Sequence, residues 1–220
     1  MADQKIIPPS PSADDYARDS AGNPLIPDVE EPIGLFQAWM AEAREKELND
    51  SNAMSLATVD EHGRPDVRVV LLKAVSEEGF TFYTNFDSAK GQELKANPVA
   101  ALGFHWKSLR RQVRVRGDVV SVPPEKADAY FASRARPSRI SAIASDQSRP
   151  LPSRKVFEDR IKALEVDYEG REDIPRPSNW GGYRVVPVEI EFWQDQAFRM
   201  HDRLKFTRKS GVWTRERLYP

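Results

Sequence analysis

The chain contains no cysteine. Disulfides, thiolate nucleophiles and zinc–thiolate sites are therefore excluded, and the composition fits a reducing compartment. Histidine is nearly absent too: there are 3, at positions 62, 105 and 201, none at metal-ligand spacing. Neither a glycine-rich dinucleotide fingerprint nor a phosphate loop of the ATPase type occurs. No apolar run approaches the length of a membrane span, and the opening stretch "MADQKIIPPSPSADDY" lacks an apolar signal core, so a soluble, cytoplasmic protein with no membrane contact is expected. An excess of charge is also missing: 33 Lys and Arg stand against 34 Asp and Glu, for a formal charge of −1. Nucleic-acid binders tend to be strongly basic, so no nucleic-acid partner is expected. Any basic cluster must be local and aimed at something small and anionic.

What is present reads as one large unit. The 220 residues suffice to bury a sizeable core. Residues 1–30, rich in Pro, Asp, Ser and Ala, read as a flexible arm, leaving 31–220 as a single domain. Ile33, Phe36, Trp39, Met40 and Ala43 recur at helical spacing. The period then changes to two. "AMSLATVD", "DVRVVLLKAV" and "FTFYTNF" predict an antiparallel three-stranded meander. A short helix follows, with Ser88 as N-cap. "VAALGFHW" and "RRQVRVRGDVVSV" predict two more strands. Helices are expected at "PPEKADAYFASRA", "SRISAIAS" and "SRKVFEDRIKALEVDYEG", with Pro137 breaking the first from the second. "YRVVPVEIEFWQ", "FRMHDRLKFTR" and "GVWTRERLYP" close the chain as strands. This order predicts a mainly β fold with helices: one antiparallel β-barrel decorated by α-helices.

Several constellations could carry chemistry. In "FRMHDRLKF", alternation places Arg199, His201, Arg203 and Lys205 on one strand face. Such a face can be solvated and paired with acids across the strand, or it can hold a phosphate and steady developing negative charge. Gln112, Arg114 and Arg116 share another strand face. Arg68 and Lys73, five apart, fall on opposite faces under strict alternation. "FYTNFDSAK" delivers Tyr83 and Thr84 to a helix start carrying Ser88 and Lys90, which either caps an ordinary helix or suits a phosphate. Tyr130 and Arg134 stand at i, i+4, with Ser138 one turn on, and Gln147 and Ser148 follow. Hydroxyls and guanidinium together predict a second phosphate cradle. His62 reads as an inert turn residue, and His105 as core or rim packing. Redox chemistry here would belong to a bound cofactor.

The run "IEFWQDQAFRMHDR" closely resembles the signature of the pyridoxine/pyridoxamine 5′-phosphate oxidases. "RVVLLK", "FYTN", "SAK", "RRQVRVRG", "YFASR", "QS" and "WGGYRV" extend the resemblance, in order, from about Leu35 to Pro220. It implies an FMN-binding split β-barrel working as a homodimer, with FMN at the subunit interface. It implies oxidation of pyridoxine or pyridoxamine 5′-phosphate to pyridoxal 5′-phosphate, with O2 as acceptor giving H2O2. The FMN set it implies is Arg68, Val69, Val70, Leu71, Leu72, Lys73, Tyr83, Thr84, Lys90, Gln112, Gln147, Ser148, Trp193 and Arg203. Substrate would fall to Lys73, Tyr130, Arg134, Ser138, Arg199, Met200 and His201, with Arg199 and His201 over the reacting ring as the catalytic pair. No metal is implied.

Three places depart from the family pattern. Ala89 stands where many members carry Arg, Asp14 and Asp15 precede Tyr16 where many are basic, and Tyr219-Pro220 replaces a common Ala-Pro. Two alternatives remain at this point. One is a same-fold flavoenzyme on another substrate, as in phenazine synthesis; the other is a non-catalytic FMN- or pyridoxal-phosphate-binding protein.

Overall fold

A computed structural model of the chain describes residues 8–20 and 22–220. Of the expected arm, residues 1–7 and 21 lie outside the described residues. Within the arm stands a short helix, α1 (Ala13–Ser20). Farther on, Ile26 is buried, its N–H donating to Asp202 Oδ2 at 2.7 Å while its carbonyl accepts from Arg217.

Helix α2 (Pro32–Lys46) starts with a proline in its first turn, where the missing N–H costs nothing. Ile33, Leu35, Phe36, Trp39 and Ala43 form its buried stripe. The strands are β1 (Ala53–Val59), β2 (Pro65–Leu71), β3 (Ala74–Ser76), β4 (Gly79–Asn85), β5 (Val99–Trp106), β6 (Arg111–Ser121), β7 (Trp180–Gln194), β8 (Asp202–Lys209) and β9 (Val212–Arg217). Between them lie α3 (Ala89–Ala96), α4 (Pro124–Ser133), α5 (Arg136–Ala144) and α6 (Arg154–Asp167). Ser88 caps α3 as expected, its Oγ accepting from the Gly91 N–H. The chain breaks between α4 and α5 at Arg134 and Ala135, and Pro137 sits in the first turn of α5.

All nine strands of the described residues join one antiparallel sheet in the order β2-β1-β5-β6-β7-β4-β3, with β8 added to β7 and β9 to β8. Strand β7 organises it. One edge pairs along β6; the other pairs β4 through Trp180–Val185 and β8 through Glu189–Gln194. A bulge at Arg116/Gly117 bends β6. A Cβ on Gly117 would sit 2.0 Å from the Val186 carbonyl oxygen, so this crossing requires glycine.

The expected opening meander is only half right. β1 and β2 pair, but β4 pairs β7 and β3 instead of β2. The run "DVRVVLLKAV" is not one strand: it stops at Leu71 and resumes at Ala74. Between them the Leu72 N–H donates to Asn52 O and the Lys73 N–H to Thr81 O, carrying the chain from one edge of the sheet to the other. The sheet curls until β2 and β4 touch, giving the split barrel.

The strand expected to begin at Phe198 is the second correction. β8 begins at Asp202, and Ala197–Arg199 forms a 3₁₀ turn with Phe198 at φ 55° and Arg199 at φ 61°. Left-handed backbone cannot continue a strand. The face of four bases is therefore dissolved, and only Arg203 and Lys205 lie on β8. The turn is held by α1: the Tyr16 ring lies 5.4 Å from that of Phe198, and Arg199 Nε donates to the Tyr16 hydroxyl at 3.3 Å.

Two cores result. The larger fills the barrel and is plugged by α2, whose Phe36 meets Phe80 at 4.9 Å, Phe104 at 5.0 Å and Trp106 at 6.0 Å. The smaller lies under the helices and contains Phe131, Ile140, Ile174 and Trp180. Among the described residues no helix is long and apolar enough to cross a membrane. Phe36→Ala would leave a cavity among three aromatic neighbours, and a loss of about 3–5 kcal/mol is expected in urea unfolding; an unchanged midpoint would contradict this packing.

Candidate functional site

The seam where β2 meets β4 opens into a cavity of about 880 Å³. Strand β2 contributes Arg68, Val69, Val70 and Leu71, and the turn after it contributes Lys73. Tyr83 and Thr84 come from the end of β4 and Lys90 from α3. Tyr130, Arg134 and Ser138 come from α4, its C-cap and α5, and Gln147 and Ser148 from the loop that follows. Arg68 and Lys73 both line this space, because the strand break resets the alternation that would have separated them. Leu72 is the exception in its segment: its side chain is buried in the barrel core, away from the cavity.

The cavity is locally cationic. Lys90 is buried, and its Nζ donates to Gln147 Oε1 at 3.1 Å and Ser88 Oγ at 3.2 Å, both neutral partners. Burial lowers its pKa, with Arg68 adding to the effect and Glu93 and Asp66 opposing it. Arg68 is caged more tightly. Its Nη1 donates to Leu56 O and Thr58 Oγ1, and its Nη2 donates to Asp66 at 2.6 Å and Glu93 at 3.0 Å. The Thr58 hydroxyl in turn donates to Glu93, so β1, β2 and α3 are tied together at this corner. Arg134 differs. Its Nη1 is buried with no hydrogen-bond partner among the described residues, and burial lowers its pKa.

Flat rings wall the same space. Tyr83 stacks on Tyr130 at 4.0 Å and on Trp180 at 5.5 Å, and the Arg134 guanidinium lies 4.9 Å from the Trp180 ring. Burial raises the Tyr83 pKa, and Tyr130 adds to it. Trp180 is a cavity residue that sequence reasoning did not assign: it was expected in the loop before a strand starting at Tyr183, whereas β7 begins at Trp180 itself, and its one signal was the "WGGYRV" motif of the resemblance. Glycine is needed at 181, where a Cβ would lie 2.4 Å from the Phe86 ring. Glu93 was missed as well, since a carboxylate on a short polar helix looks like any solvated one.

The remaining expected residues stand elsewhere. Gln112 on β6 is in register with Trp193 on β7, which is in register with Arg203 on β8. The three form a row across the sheet. Arg203 Nε donates to the buried Glu191 carboxylate at 2.9 Å and its Nη1 to the Tyr219 carbonyl. The His201 ring packs 4.5 Å from that of Trp193. Arg199 and Met200 are exposed on the adjoining turn. None of these residues lines the cavity. Trp180 and Trp193 mark the two ends of β7, and at about 3.3 Å per residue they are separated by roughly 40 Å of strand. The cavity and this row thus lie toward opposite ends of β7.

Other basic groups belong to acid–base pairing. Arg116 meets Glu189 at 3.1 Å, Arg114 meets Glu191, and Lys205 meets Glu216 at 2.8 Å. His62 is exposed beside Glu61, and His105 is exposed at the sheet rim. Among the described residues no cluster of His, Cys, Asp and Glu could hold a metal.

Comparison with known proteins converges on one family. Residues 40–166 match the family model described as pyridoxamine 5′-phosphate oxidase, and residues 180–220 match the pyridoxine 5′-phosphate oxidase C-terminal dimerisation region. The pyridoxine/pyridoxamine 5′-phosphate oxidase of Hyphomonas neptunium is 67% identical over 216 residues, covering 98% of each chain. That of Caulobacter vibrioides is 56% identical over 221 residues, covering 100% of this chain and 99% of its own. Among solved structures, PhzG from Burkholderia lata, in complex with tetrahydrophenazine-1-carboxylic acid, superposes with a TM-score of 0.82 at 30% identity, covering 87% of this chain and 94% of its own. A pyridoxamine 5′-phosphate oxidase-related, FMN-binding protein from Nostoc punctiforme shares the fold, with a TM-score of 0.71 at 19% identity, covering 88% of this chain and 100% of its own.

The Arg68 corner makes a direct prediction. Thr58→Val removes the hydroxyl between a guanidinium and a carboxylate, and a loss of about 1–3 kcal/mol is expected in urea unfolding. An unchanged midpoint would mean that the corner contributes nothing to stability.

Proposed function

The chain belongs to the pyridoxine/pyridoxamine 5′-phosphate oxidase family, and on that premise we propose how its own residues divide the work. It is an oxidoreductase that makes pyridoxal 5′-phosphate from pyridoxine and pyridoxamine 5′-phosphate, and its family and fold neighbours include FMN-binding proteins. It works as a homodimer, in keeping with a C-terminal dimerisation region over 180–220. Each of the two active sites joins the cavity of one chain to the Gln112–Trp193–Arg203 row of the other. The observation that carries this reading is the roughly 40 Å of β7 separating the two half-sites within one chain.

FMN fits the cavity. A buried lysine held only by neutral groups and a buried guanidinium nitrogen with no partner suit anionic phosphates, and the apolar side chains of Val69 and Leu71 suit a planar ring system. Arg68 to Leu71, Lys73, Tyr83, Thr84, Lys90, Gln147 and Ser148 would hold it from one chain, and Gln112, Trp193 and Arg203 from the other. Leu72 would contribute through its backbone alone. When bound, FMN supplies the acceptor for the hydride that leaves substrate C4′, with O2 as final acceptor and H2O2 as product.

The chain's own groups bind and orient. Lys73, Tyr130, Arg134 and Ser138 take the substrate phosphate. The unpartnered Arg134 Nη1 is a preformed donor for it, and Trp180 holds the guanidinium plane from below. Arg199 and His201 come from the other chain, with Met200 between them. They orient the pyridine ring and stabilise negative charge at its ring oxygen as C4′ is oxidised. The phosphate cradle also separates this reading from a phenazine-type reaction, whose unphosphorylated substrate would leave Arg134 desolvated and unpaired.

Three outcomes test the assignment. Pyridoxine 5′-phosphate added without oxygen should bleach the flavin absorbance of the yellow protein, and air should restore it. A flavin that stays oxidised would redirect the search to another substrate. Arg134→Leu should raise KM for the phosphorylated substrate by about tenfold or more while leaving FMN affinity within about twofold; an unchanged KM would remove Arg134 from the phosphate site. Ala89 lines the cavity beside Lys90 without a charge. Ala89→Arg should lower the FMN dissociation constant, and an unchanged constant would show that this position does not reach the flavin phosphate.

A further inference from the structure

The turn that carries His201 also contains a buried acid. Asp195 follows the last residue of β7 and is buried. Its Oδ1 lies 3.2 Å from His201 Nδ1, and its Oδ2 accepts from Arg110 Nη1 at 2.9 Å. Its backbone N–H donates to the Arg110 carbonyl at 3.0 Å, so the β5–β6 turn grips Asp195 twice. The Gln196 N–H also points at His201 Nδ1, at 3.3 Å. Nδ1 thus sits between a group that can only donate and a group that can only accept. Without a proton on Nδ1 the ring satisfies Gln196 and faces the carboxylate lone pairs. With that proton the ring donates to Asp195.

We propose that Asp195, fixed by Arg110, is a positioning residue that holds a proton on Nδ1 of His201 and leaves Nε2 as the nitrogen available to substrate. The inference rests on the reading that His201 meets the substrate ring. A buried carboxylate in contact with the imidazole outweighs a backbone N–H at longer range, because the ionised partner makes the stronger hydrogen bond. The Trp193 ring against the imidazole limits the alternative of turning the ring away.

The charges around the ring are few. From the turn itself come Asp195 and Arg199, and from the β5–β6 turn Arg110, already engaged by Asp195. From β8 come Asp202, paired with Arg217 of β9, and Arg203, paired with Glu191 of β7. From α1 comes the Tyr16 hydroxyl, which accepts from Arg199. Burial lowers the His201 pKa, Asp195 opposes that and Arg199 reinforces it. Among the described residues Asp195 is therefore the acid in contact with the ring that favours its protonated form. Removing it makes the ring lose its proton at lower pH.

The test uses the flavin-loaded homodimer with carbon-13-labelled histidine. Only three histidines occur, so a His201→Asn sample assigns the signal of interest. Asp195→Asn should lower the His201 titration midpoint by about half a unit or more. The acid limb of the kcat/KM profile should move to lower pH with it, and Asp195→Glu should restore both. Asp195→Ser carries the same expectation should the amide variant fail to fold. An unchanged midpoint would overturn the proposal, and so would a shifted midpoint that leaves the kcat/KM profile where it was. A wild-type protein that does not turn over pyridoxine 5′-phosphate would sink the proposed function instead, and the titration alone would then decide the role of Asp195.

Discussion

Everything in this molecule hangs on the pairing of β7. Among the described residues it is the longest strand, and both its edges are paired: Tyr183–Gln194 with β6 on one side, and Trp180–Val185 with β4 then Glu189–Gln194 with β8 on the other. An arrangement of this kind fixes register over both halves of the barrel at once, because a slip by one residue would turn buried Ile190 and Phe192 outward and Glu189 inward. The bulge at Gly117 lets β6 follow β7 through its bend. The same strand ends in two tryptophans that belong to different half-sites. Trp180 at the head of β7 helps shape the cavity, and Trp193 at its tail stands in the row between Gln112 and Arg203. The proposed sharing of each site between two chains rests on this placement, and a C-terminal dimerisation region over residues 180–220 agrees with it.

Charge follows the same logic. A protein with a net charge of −1 gathers Arg68, Lys73, Lys90 and Arg134 around one cavity. On the sheet face the bases meet Glu189, Glu191 and Glu216. In the cavity, Lys90 leans on neutral oxygens and Arg134 keeps a buried nitrogen unpaired. Leaving a buried donor unpaired is costly, so an anion that paired with this nitrogen, which lines the cavity, would be favoured. Arg68 occupies the middle ground: two carboxylates and a threonine fix its guanidinium, so it acts as a rigid wall more than as a mobile arm.

Much of this was legible in the sequence, for identifiable reasons. Alternation found the strands, helical spacing found α2, and Ser88 marked a helix start and Pro137 a break between two helices, because capping and proline chemistry are local. The pairing of β4 was not legible, since a hairpin-sized turn before a strand does not say which edge that strand will join. The 3₁₀ turn at Phe198 and Arg199 was hidden because non-glycine residues in left-handed backbone leave no compositional trace. Leu72 was misplaced by treating a motif as uniformly facing the ligand, when the strand break turns one side chain inward. Trp180, Glu93 and Asp195 escaped because their importance lies in neighbours distant in sequence. Residue roles came from resemblance to a family; spacing alone reached only two local anion sites.

Whether each site is shared between chains can be read by mixing subunits. One variant would lack the cavity cation, as Arg134→Leu, and the other the row, as Arg203→Leu with Trp193→Ala. Assayed with pyridoxine 5′-phosphate well below its KM, each alone should lose about tenfold or more of the wild-type rate. Unfolded together and refolded, they should recover roughly a quarter of the wild-type rate under the same conditions, because random pairing makes half the dimers mixed and each mixed dimer regains one intact composite site. Mixtures no more active than the separate variants would mean that cavity and row serve the same chain, and the account built on β7 would be wrong.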